Sequence, residues 1–282
     1  MKKVILITGV SSGIGKVTAK RLLSEGYIVY GASRKAEQAK DLEALGVHLI
    51  TLDVTNEISC ENCVKQVVDE QGKIDVLINN AGFGLYGSVE DIPLKDAKYE
   101  MDVNVFGLAK MTQLVIPHMR DKNKGTIINI SSIAGKITTP MGTWYHTSKF
   151  AVEGFSNTLR LELKQFGIHV VLVEPGLIRT NFEEVANSCI EKYSGDGPYE
   201  DLGKAMAKTY VKAETKGSFF YGSDPNIIAK TISKAIHKNK PRTRYVAGHL
   251  GKLSLLARRY VSDKMYDRCA LWLLANVKRL KK

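Results

Sequence analysis

The stretch "TGVSSGIG", residues 8–15, decides the fold. It ends the β-rich run "KVILITG" and opens the helical pattern "GKVTAKRLLSEG", which Gly26 stops. Gly9, Gly13 and Gly15 allow a tight turn and a close approach of backbone to a ligand. The helix that starts there, with Ser11, Ser12 and Ile14 in the same turn, offers free N–H groups and a partial positive charge to a phosphate. A glycine turn that serves packing alone is the plainer alternative. The strand–turn–helix context, at the first such turn of the chain, favours the phosphate.

Strand and helix patterns alternate outward from this turn. "YIVYGAS" reads as a second strand, "KAEQAKDLEALG" as a second helix, "VHLITLDV" as a third strand and "IDVLINNAG" as a fourth. A long helix is expected over about residues 95–119, then the strand "GTIINIS", a helix over about 143–166 and the strand "HVVLVEPG". The strands are apolar on both faces, as parallel strands covered by helices must be. The expected fold is α/β: a Rossmann-type doubly wound parallel sheet, with ligands at the carboxyl ends of its strands. One domain over residues 1–282 is expected, with a variable substrate loop at about 181–225 and a basic amphipathic extension at about 250–282. The variable segment is polar and Gly-rich, and "KGSFFYGSDP" brings three consecutive aromatics, Phe219, Phe220 and Tyr221. It is either a cap over a site or a mobile surface loop.

Composition narrows the class. The chain has 282 residues, 44% hydrophobic and 25% charged, which is ordinary for a water-soluble fold. No run is long and uncharged enough for a membrane span, and "MKKVILITGV" reads as a first strand rather than a signal peptide, so a cytoplasmic protein is expected. The net charge of +12 is uneven: residues 226–282 hold 15 Lys and Arg against 2 Asp and Glu, and the first 225 residues come to −1. Cys60 and Cys63 form a C-x-x-C about a turn into an expected helix, without the second ligand pair that zinc needs or the helix start that a redox pair needs. The six histidines show no ligand spacing, and no metal is expected.

Two further sites carry chemistry. In "WYHTSKF", residues 144–150, Tyr145 and Lys149 are four apart and so neighbours on a helix. An adjacent ammonium favours a phenolate and lowers a tyrosine's pKa, so Tyr145 could pass a proton near neutral pH. The plainer reading is a solvated lysine beside a half-buried tyrosine. His146 faces elsewhere on that helix, and Met141 and Trp144 either line the site or pack in the core. At the end of the second strand, "YGASRK" has no acid to hold a ribose 2′-hydroxyl; it has Arg34 and Lys35, and a guanidinium there suits a 2′-phosphate. The cofactor reading is NADP(H).

Taken in order, "TGVSSGIG", "LDV" at 52–54, "NNAG" at 79–82, "MDVNVFG" at 101–107, "INISS" at 128–132, "YHTSK" at 145–149 and "PG" at 175–176 resemble the short-chain dehydrogenase/reductase family, in its non-extended branch. The resemblance covers about residues 1–180 and is nearest to reductases similar to 17β-hydroxysteroid dehydrogenases, retinol dehydrogenases and acyl-dihydroxyacetone-phosphate reductases. It implies that Tyr145 is the general acid in carbonyl reduction and the base in reverse, that Lys149 lowers its pKa and binds the nicotinamide ribose, and that Ser132 hydrogen-bonds the substrate carbonyl. It implies that Asn104 holds a water that links Lys149 to solvent. Asp53 and Val54 are implied at the adenine, Asn80 and Ala81 along the cofactor ribose, Pro175, Gly176, Ile178 and Thr180 over the nicotinamide, and Gly82 also among the cofactor-binding residues. Ser11, Ser12 and Arg34 are implied at the phosphates.

The expected activity is hydride transfer between NADP(H) and a ketone, aldehyde or alcohol. The apolar "GFGLYG" at 82–87 and the aromatic run favour a hydrophobic substrate: a steroid, a retinoid-like aldehyde or a long-chain acyl ketone. A non-catalytic NADP-binding sensor, or a scaffold on membrane or nucleic acid, is the alternative. The resemblance implies a homodimer or homotetramer. The C-terminal segment reads as two amphipathic helices that break near Ser262–Asp263. Leu253, Leu256 and Tyr260 share one face of the first, Met265, Cys269, Trp272 and Leu273 one face of the second, and Lys278, Arg279, Lys281 and Lys282 end it. This extension is a flap over the substrate site or a partner subunit, a peripheral attachment to anionic membrane, or, least in keeping with its sequence, a nucleic-acid contact.

Overall fold

The inner strands of the sheet have side chains to bury on two sides, and the sequence supplies them. The computed structural model describes residues 2–279, with side chains from Lys2 to Leu274. The chain runs β1 Val4–Thr8, α1 Gly13–Ser24, β2 Ile28–Ser33, α2 Lys40–Glu43, β3 His48–Thr51, α3 Glu57–Gln71 and β4 Val76–Asn79. It continues through α4 Leu94–Met101, α5 Leu108–Asp121, β5 Gly125–Ile130, α6 Thr143–Leu163 and β6 Ile168–Pro175. It ends with α7 Phe182–Ser194, α8 Glu200–Glu214, α9 Asn226–His237, β7 Arg244–Ala247, α10 Gly251–Tyr260 and α11 Asp263–Arg279.

The described strands form one parallel sheet in the order β3-β2-β1-β4-β5-β6-β7. Val4 and Leu6 of β1 face one layer, against Val64 and Val67 of α3, Met111 and Val115 of α5 and Leu159 of α6. Ile5 and Ile7 face the other, against Ala19 and Leu22 of α1 and Ile228 and Ile232 of α9. The period of two in the strands thus builds a core on each face. The order reverses between β1 and β4, so the crevice for a ligand opens at the carboxyl ends of those strands.

Three local features differ from the sequence expectation. The second helix is a 3₁₀ turn over Ala36–Ala39 followed by the single turn α2, because that segment supplies only Ala39 and Leu42 as buried anchors. The long helix expected over 95–119 runs from α4 to α5 through a π-helical segment, Asp102–Gly107. Most of the variable segment is helical: α7 and α8 meet at a 3₁₀ turn, Gly197–Tyr199. Ala186 and Ile190 of α7, and Leu202, Met206 and Tyr210 of α8, repeat every four residues and pack in one cluster with Tyr145. Phe219 stays 63% exposed, so the aromatic run is only partly covered. The C-terminal break falls where expected, between α10 and α11. The side chains of Lys278 and Arg279, and residues Lys281 and Lys282, lie outside the described residues.

Candidate active site

The glycine turn is held shut from below. Gly9 has φ +76°, and a Cβ there would lie 2.8 Å from the Cα of Ala81. A Cβ on Gly15 would lie 2.2 Å from the carbonyl oxygen of Gly9. Neither contact leaves room for a side chain, so both glycines are required by close approach. Asn80 ties the strand ends: its Nδ2 donates to the carbonyls of Thr8 and Gly9, each at 2.9 Å. The hydroxyl of Thr8 accepts from the N–H groups of Asn80 and Ala81 at 3.1 and 3.0 Å. Ser12 stands at the N-cap of α1 with no side-chain capping bond, which leaves its hydroxyl and the first N–H groups of the helix open to a ligand.

The residues of "YHTSK" enter from α6. Tyr145 and Lys149 are both buried, and Nζ of Lys149 lies 5.8 Å from the centre of the Tyr145 ring. Nζ donates to the carbonyl of Ile130 at the end of β5, at 3.0 Å. Ser132, just past that strand end, hydrogen-bonds Tyr145 through its side chain, and its Oγ also accepts from the N–H of Ala134 at 3.1 Å. Asn104 sits in the π-helical segment. Its Oδ1 accepts from the N–H of Phe83 at 3.0 Å, and its Nδ2 donates to the Phe83 carbonyl at 2.8 Å and to the Ser148 hydroxyl at 3.0 Å. Asn104 and Lys149 converge on Gly82, where a Cβ would meet Asn104 Oδ1 at 2.9 Å and Lys149 Nζ at 3.8 Å.

Burial sets the electrostatics. It raises the Tyr145 phenol above its ordinary value; the hydrogen bond from Ser132 opposes this, and Glu100 and Glu183 reinforce it. In this structure the downward pull on Tyr145 comes from Ser132, and Lys149 stands beside the ring as the four-residue spacing requires. Burial also lowers Lys149, to about 8, against the opposing attraction of Glu100 and Glu153. Glu100 is pushed up to about 8 by desolvation, although it accepts from Leu85 N–H at 2.9 Å.

A cavity of about 650 Å³ collects most of these groups. Ser12, Gly13, Ile14, Asn80 and Gly82 line it, as do Ser132, Tyr145 and Lys149. So do Pro175, Gly176, Ile178 and Thr180. Later elements add to its wall: Phe182 and Glu183 of α7, Met206 and Tyr210 of α8, Leu253 and Ala257 of α10, and Cys269, Leu273 and Leu274 of α11. Tyr266 of α11 donates its hydroxyl to the Thr138 carbonyl at 2.6 Å, which holds the extension against the loop after β5. The extension thus walls the cavity, while Leu256, Tyr260, Met265 and Trp272 remain exposed.

Other expected residues lie off the cavity wall. Gly9, Ser11, Gly15 and Ala81 shape the turn beneath it. Arg34 is exposed beyond β2, and its Nη1 donates to the hydroxyl of Tyr99 on α4. Asp53 closes the turn before α3, its Oδ1 accepting from the N–H and hydroxyl of Thr55 at 3.0 and 2.8 Å. Val54 packs under Gly107, where a Cβ would meet its own Cβ at 2.7 Å. Met141 and Trp144 pack in hydrophobic clusters rather than on the wall. His146 lines the cavity and orders its rim: Nε2 accepts from the N–H of Thr139 at 2.9 Å, while Nδ1 lies 3.0 Å from the Ala134 carbonyl. Cys60 and Cys63 are core thiols that burial raises to about 11 and about 12, the opposite of reactive cysteines.

The glycine cradle, the open start of α1 and the convergence of Ser132, Tyr145 and Lys149 are the arrangement the sequence motifs implied. A family model described as short chain dehydrogenase matches residues 3–190. The chain belongs to the short-chain dehydrogenases. It is 41% identical over 250 residues to a 3-ketodihydrosphingosine reductase of Bacteroides thetaiotaomicron, covering 88% of each chain. It is 32% identical to an NADPH-dependent 3-dehydrocapnine reductase of Ornithobacterium rhinotracheale, covering 93% of this chain and 94% of that one. A short-chain dehydrogenase structure from Streptomyces avermitilis superposes with a TM-score of 0.79 at 29% identity, covering 100% and 99% of the two chains. A closed serine dehydrogenase complexed with NADP+ gives 0.74 at 26% identity, covering 87% and 94%. A short-chain dehydrogenase/reductase from Burkholderia phymatum in complex with NAD gives 0.77 at 25%, covering 92% of each. This short-chain dehydrogenase is an oxidoreductase whose structural neighbours hold pyridine nucleotides of both kinds.

Several residues that line the cavity or act on Tyr145 escaped the sequence reading. Glu100 had a signal, since it precedes Asn104 by four residues and shares its helical face. Tyr86 lay inside the quoted "GFGLYG". Tyr210 and Glu183 had none, because only the packing of α7 and α8 brings them over Tyr145.

Proposed function

We propose that this short-chain dehydrogenase uses NADPH to reduce the keto group of a long-chain lipid, with Tyr145 as proton donor. One observation carries the reading: the Ser132–Tyr145 pair opens on a cavity walled by the glycine turn and also by the apolar helices α8, α10 and α11. The glycine cradle and uncapped α1 fit a pyrophosphate, and Arg34 with no acid beside it favours a 2′-phosphate. The names of the two reductases reported above, one of them NADPH-dependent, support a lipid ketone reduced at position 3.

The bound nucleotide supplies the hydride to the carbonyl carbon. Ser132 and Tyr145 bind the carbonyl oxygen with their hydroxyls and so hold the reacting carbon in place. As negative charge grows on that oxygen, Tyr145 passes it the phenolic proton. Lys149, anchored on the Ile130 carbonyl, holds the cofactor ribose and returns a proton toward Tyr145. Asn104, which meets Lys149 at Gly82, links that lysine to solvent through a water. Asn80, Gly82, Pro175, Gly176, Ile178 and Thr180 shape the nicotinamide half of the site, with Asp53 and Val54 toward the adenine.

The exposed apolar side chains Leu256 and Tyr260 stand beside Arg258 and Arg259 on α10, and no helix of the described residues is long and apolar enough to cross a membrane. That combination favours peripheral contact with an anionic bilayer, from which a lipid would reach the cavity. Exposed Phe106 and Phe150, on the α4–α6 side, favour a homo-oligomer. The reading is tested by following NADPH and NADH oxidation with long-chain 3-ketones, steroid ketones and short ketones. Turnover confined to short ketones, or faster with NADH, would count against it.

A further inference from the structure

Glu183 is an acid placed where an apolar cavity has no evident use for one. It is 5% exposed, lines the cavity, and follows Phe182, whose ring centre lies 5.0 Å from that of Tyr145. Its field reaches the hydroxyls of both Tyr145 and Tyr210. Part of its position is explained by helix capping: Oε2 accepts from the N–H of Thr180 at 3.3 Å, at the start of α7. Capping acids, however, are ordinarily solvated, and this one is not. Its hydrogen bonds come from backbone N–H groups, and the nearest charge acting on it is another acid, Glu214.

No cation of the described residues pairs with it. Arg179, the obvious candidate one turn earlier, is engaged elsewhere. Its Nη1 donates to the Gly222 carbonyl, its guanidinium lies 4.4 Å over the Tyr221 ring, and Nη2 is 4.0 Å from Asp224. Lys149 is anchored on Ile130, with Glu100 and Glu153 as the acids that act on it. A buried carboxylate without a paired cation is unfavourable, and burial accordingly raises Glu183 to about 7.

Resting on the reductase reading above, we propose that Glu183 is a substrate-binding residue that recognises a cationic amine next to the carbonyl, so that the substrate class is a long-chain α-amino ketone. An ammonium on the carbon beside the ketone would enter the cavity near Tyr145 together with the carbonyl. It would neutralise Glu183 in a charge-assisted hydrogen bond while the alkyl chain lies along α8, α10 and α11. A simple ketone of the same length would leave the acid unpaired, so the site selects for the amine as well as accepting it.

The test compares three compounds at neutral pH with NADPH: a long-chain 2-amino-3-ketone, its N-acetyl derivative and the corresponding 3-ketone. The wild-type protein is expected to prefer the free amine in kcat/KM by about tenfold to a hundredfold, mostly through KM. In E183Q, which keeps an acceptor for the Thr180 N–H, that preference should fall to within about threefold while Tm stays close to wild type. Equal use of the three compounds by the wild type, or an undiminished preference in E183Q, overturns the proposal. Binding separates it from the reductase reading. A long-chain 2-amino-3-alcohol, titrated calorimetrically, should bind E183Q about tenfold more weakly than wild type whether or not any ketone turns over. Equal affinities overturn the role of Glu183; a tenfold difference without turnover counts against the reductase reading alone.

Discussion

Replacing Arg34 by alanine tests the cofactor assignment through one side chain. Arg34 stands just past β2, exposed, with Nη1 held by the Tyr99 hydroxyl of α4. That tether fixes the guanidinium over the strand end where a nucleotide's adenosine ribose would lie. Bonds to a charged partner are worth about 1.5–3 kcal/mol when well made, which spans roughly a ten- to hundredfold range. Exposure places Arg34 at the low end, because water and salt weaken the pair. R34A should therefore raise the KM for NADPH about tenfold at low ionic strength and leave that for NADH nearly unchanged. The same assay supplies an internal check. In wild type the KM for NADPH should rise with added salt, and in R34A the rise should flatten. Y99F, which removes only the tether, should weaken NADPH a few-fold (roughly threefold). A ratio of NADPH to NADH efficiency that does not change in R34A would refute the reasoning.

Three further outcomes are expected. Burial raises Glu100 to about 8, above its unfolded value of 4.5, so the folded chain keeps a proton that the unfolded chain releases. That stability is full below the unfolded value and is lost as pH rises toward about 8, so E100Q should lose less Tm than wild type between about pH 5 and pH 8; parallel curves would contradict it. Arg244 holds two buried acids, Glu153 and Glu174, so R244M should be destabilised by about 3–5 kcal/mol, roughly 5–8 °C in Tm at this size; a shift under about 2 °C would count against it. Full-length protein should sediment with anionic but not neutral vesicles at low salt, and L256E/Y260E should abolish this; retention by the double variant would remove α10 from the contact.

The sequence made the sheet legible because its strands are short, apolar and bounded by glycines with specific duties. Gly9 and Gly15 are irreplaceable where they stand, and that requirement is visible as a motif. Tyr145 and Lys149 were legible for a related reason: a four-residue spacing on a helix fixes adjacency whatever surrounds it. The consequence of burial was not legible. Spacing says that Lys149 is near Tyr145, whereas the balance of desolvation against Ser132, Glu100 and Glu183 depends on packing from four separate segments. The helices α7 and α8 were hidden for another reason. Their apolar positions are sparse and interleaved with Gly195, Gly197 and Pro198, so the segment reads as loop until Ile190, Met206 and Tyr210 are seen against one cluster. Glu183 belongs to this second group, and its place on the cavity wall follows from tertiary structure alone.

The most direct measurement compares wild type with Y145F for single-turnover oxidation of NADPH by a long-chain 3-ketone. Phenylalanine keeps the ring, which packs 5.0 Å from Phe182 and 5.6 Å from Tyr86, and removes the hydroxyl that would donate the proton. NADPH binding, followed by its fluorescence, should change little, while the rate of oxidation should fall by at least about 10²-fold. A Y145F rate within about tenfold of wild type would contradict the assignment of proton transfer to Tyr145, and with it the account of this site.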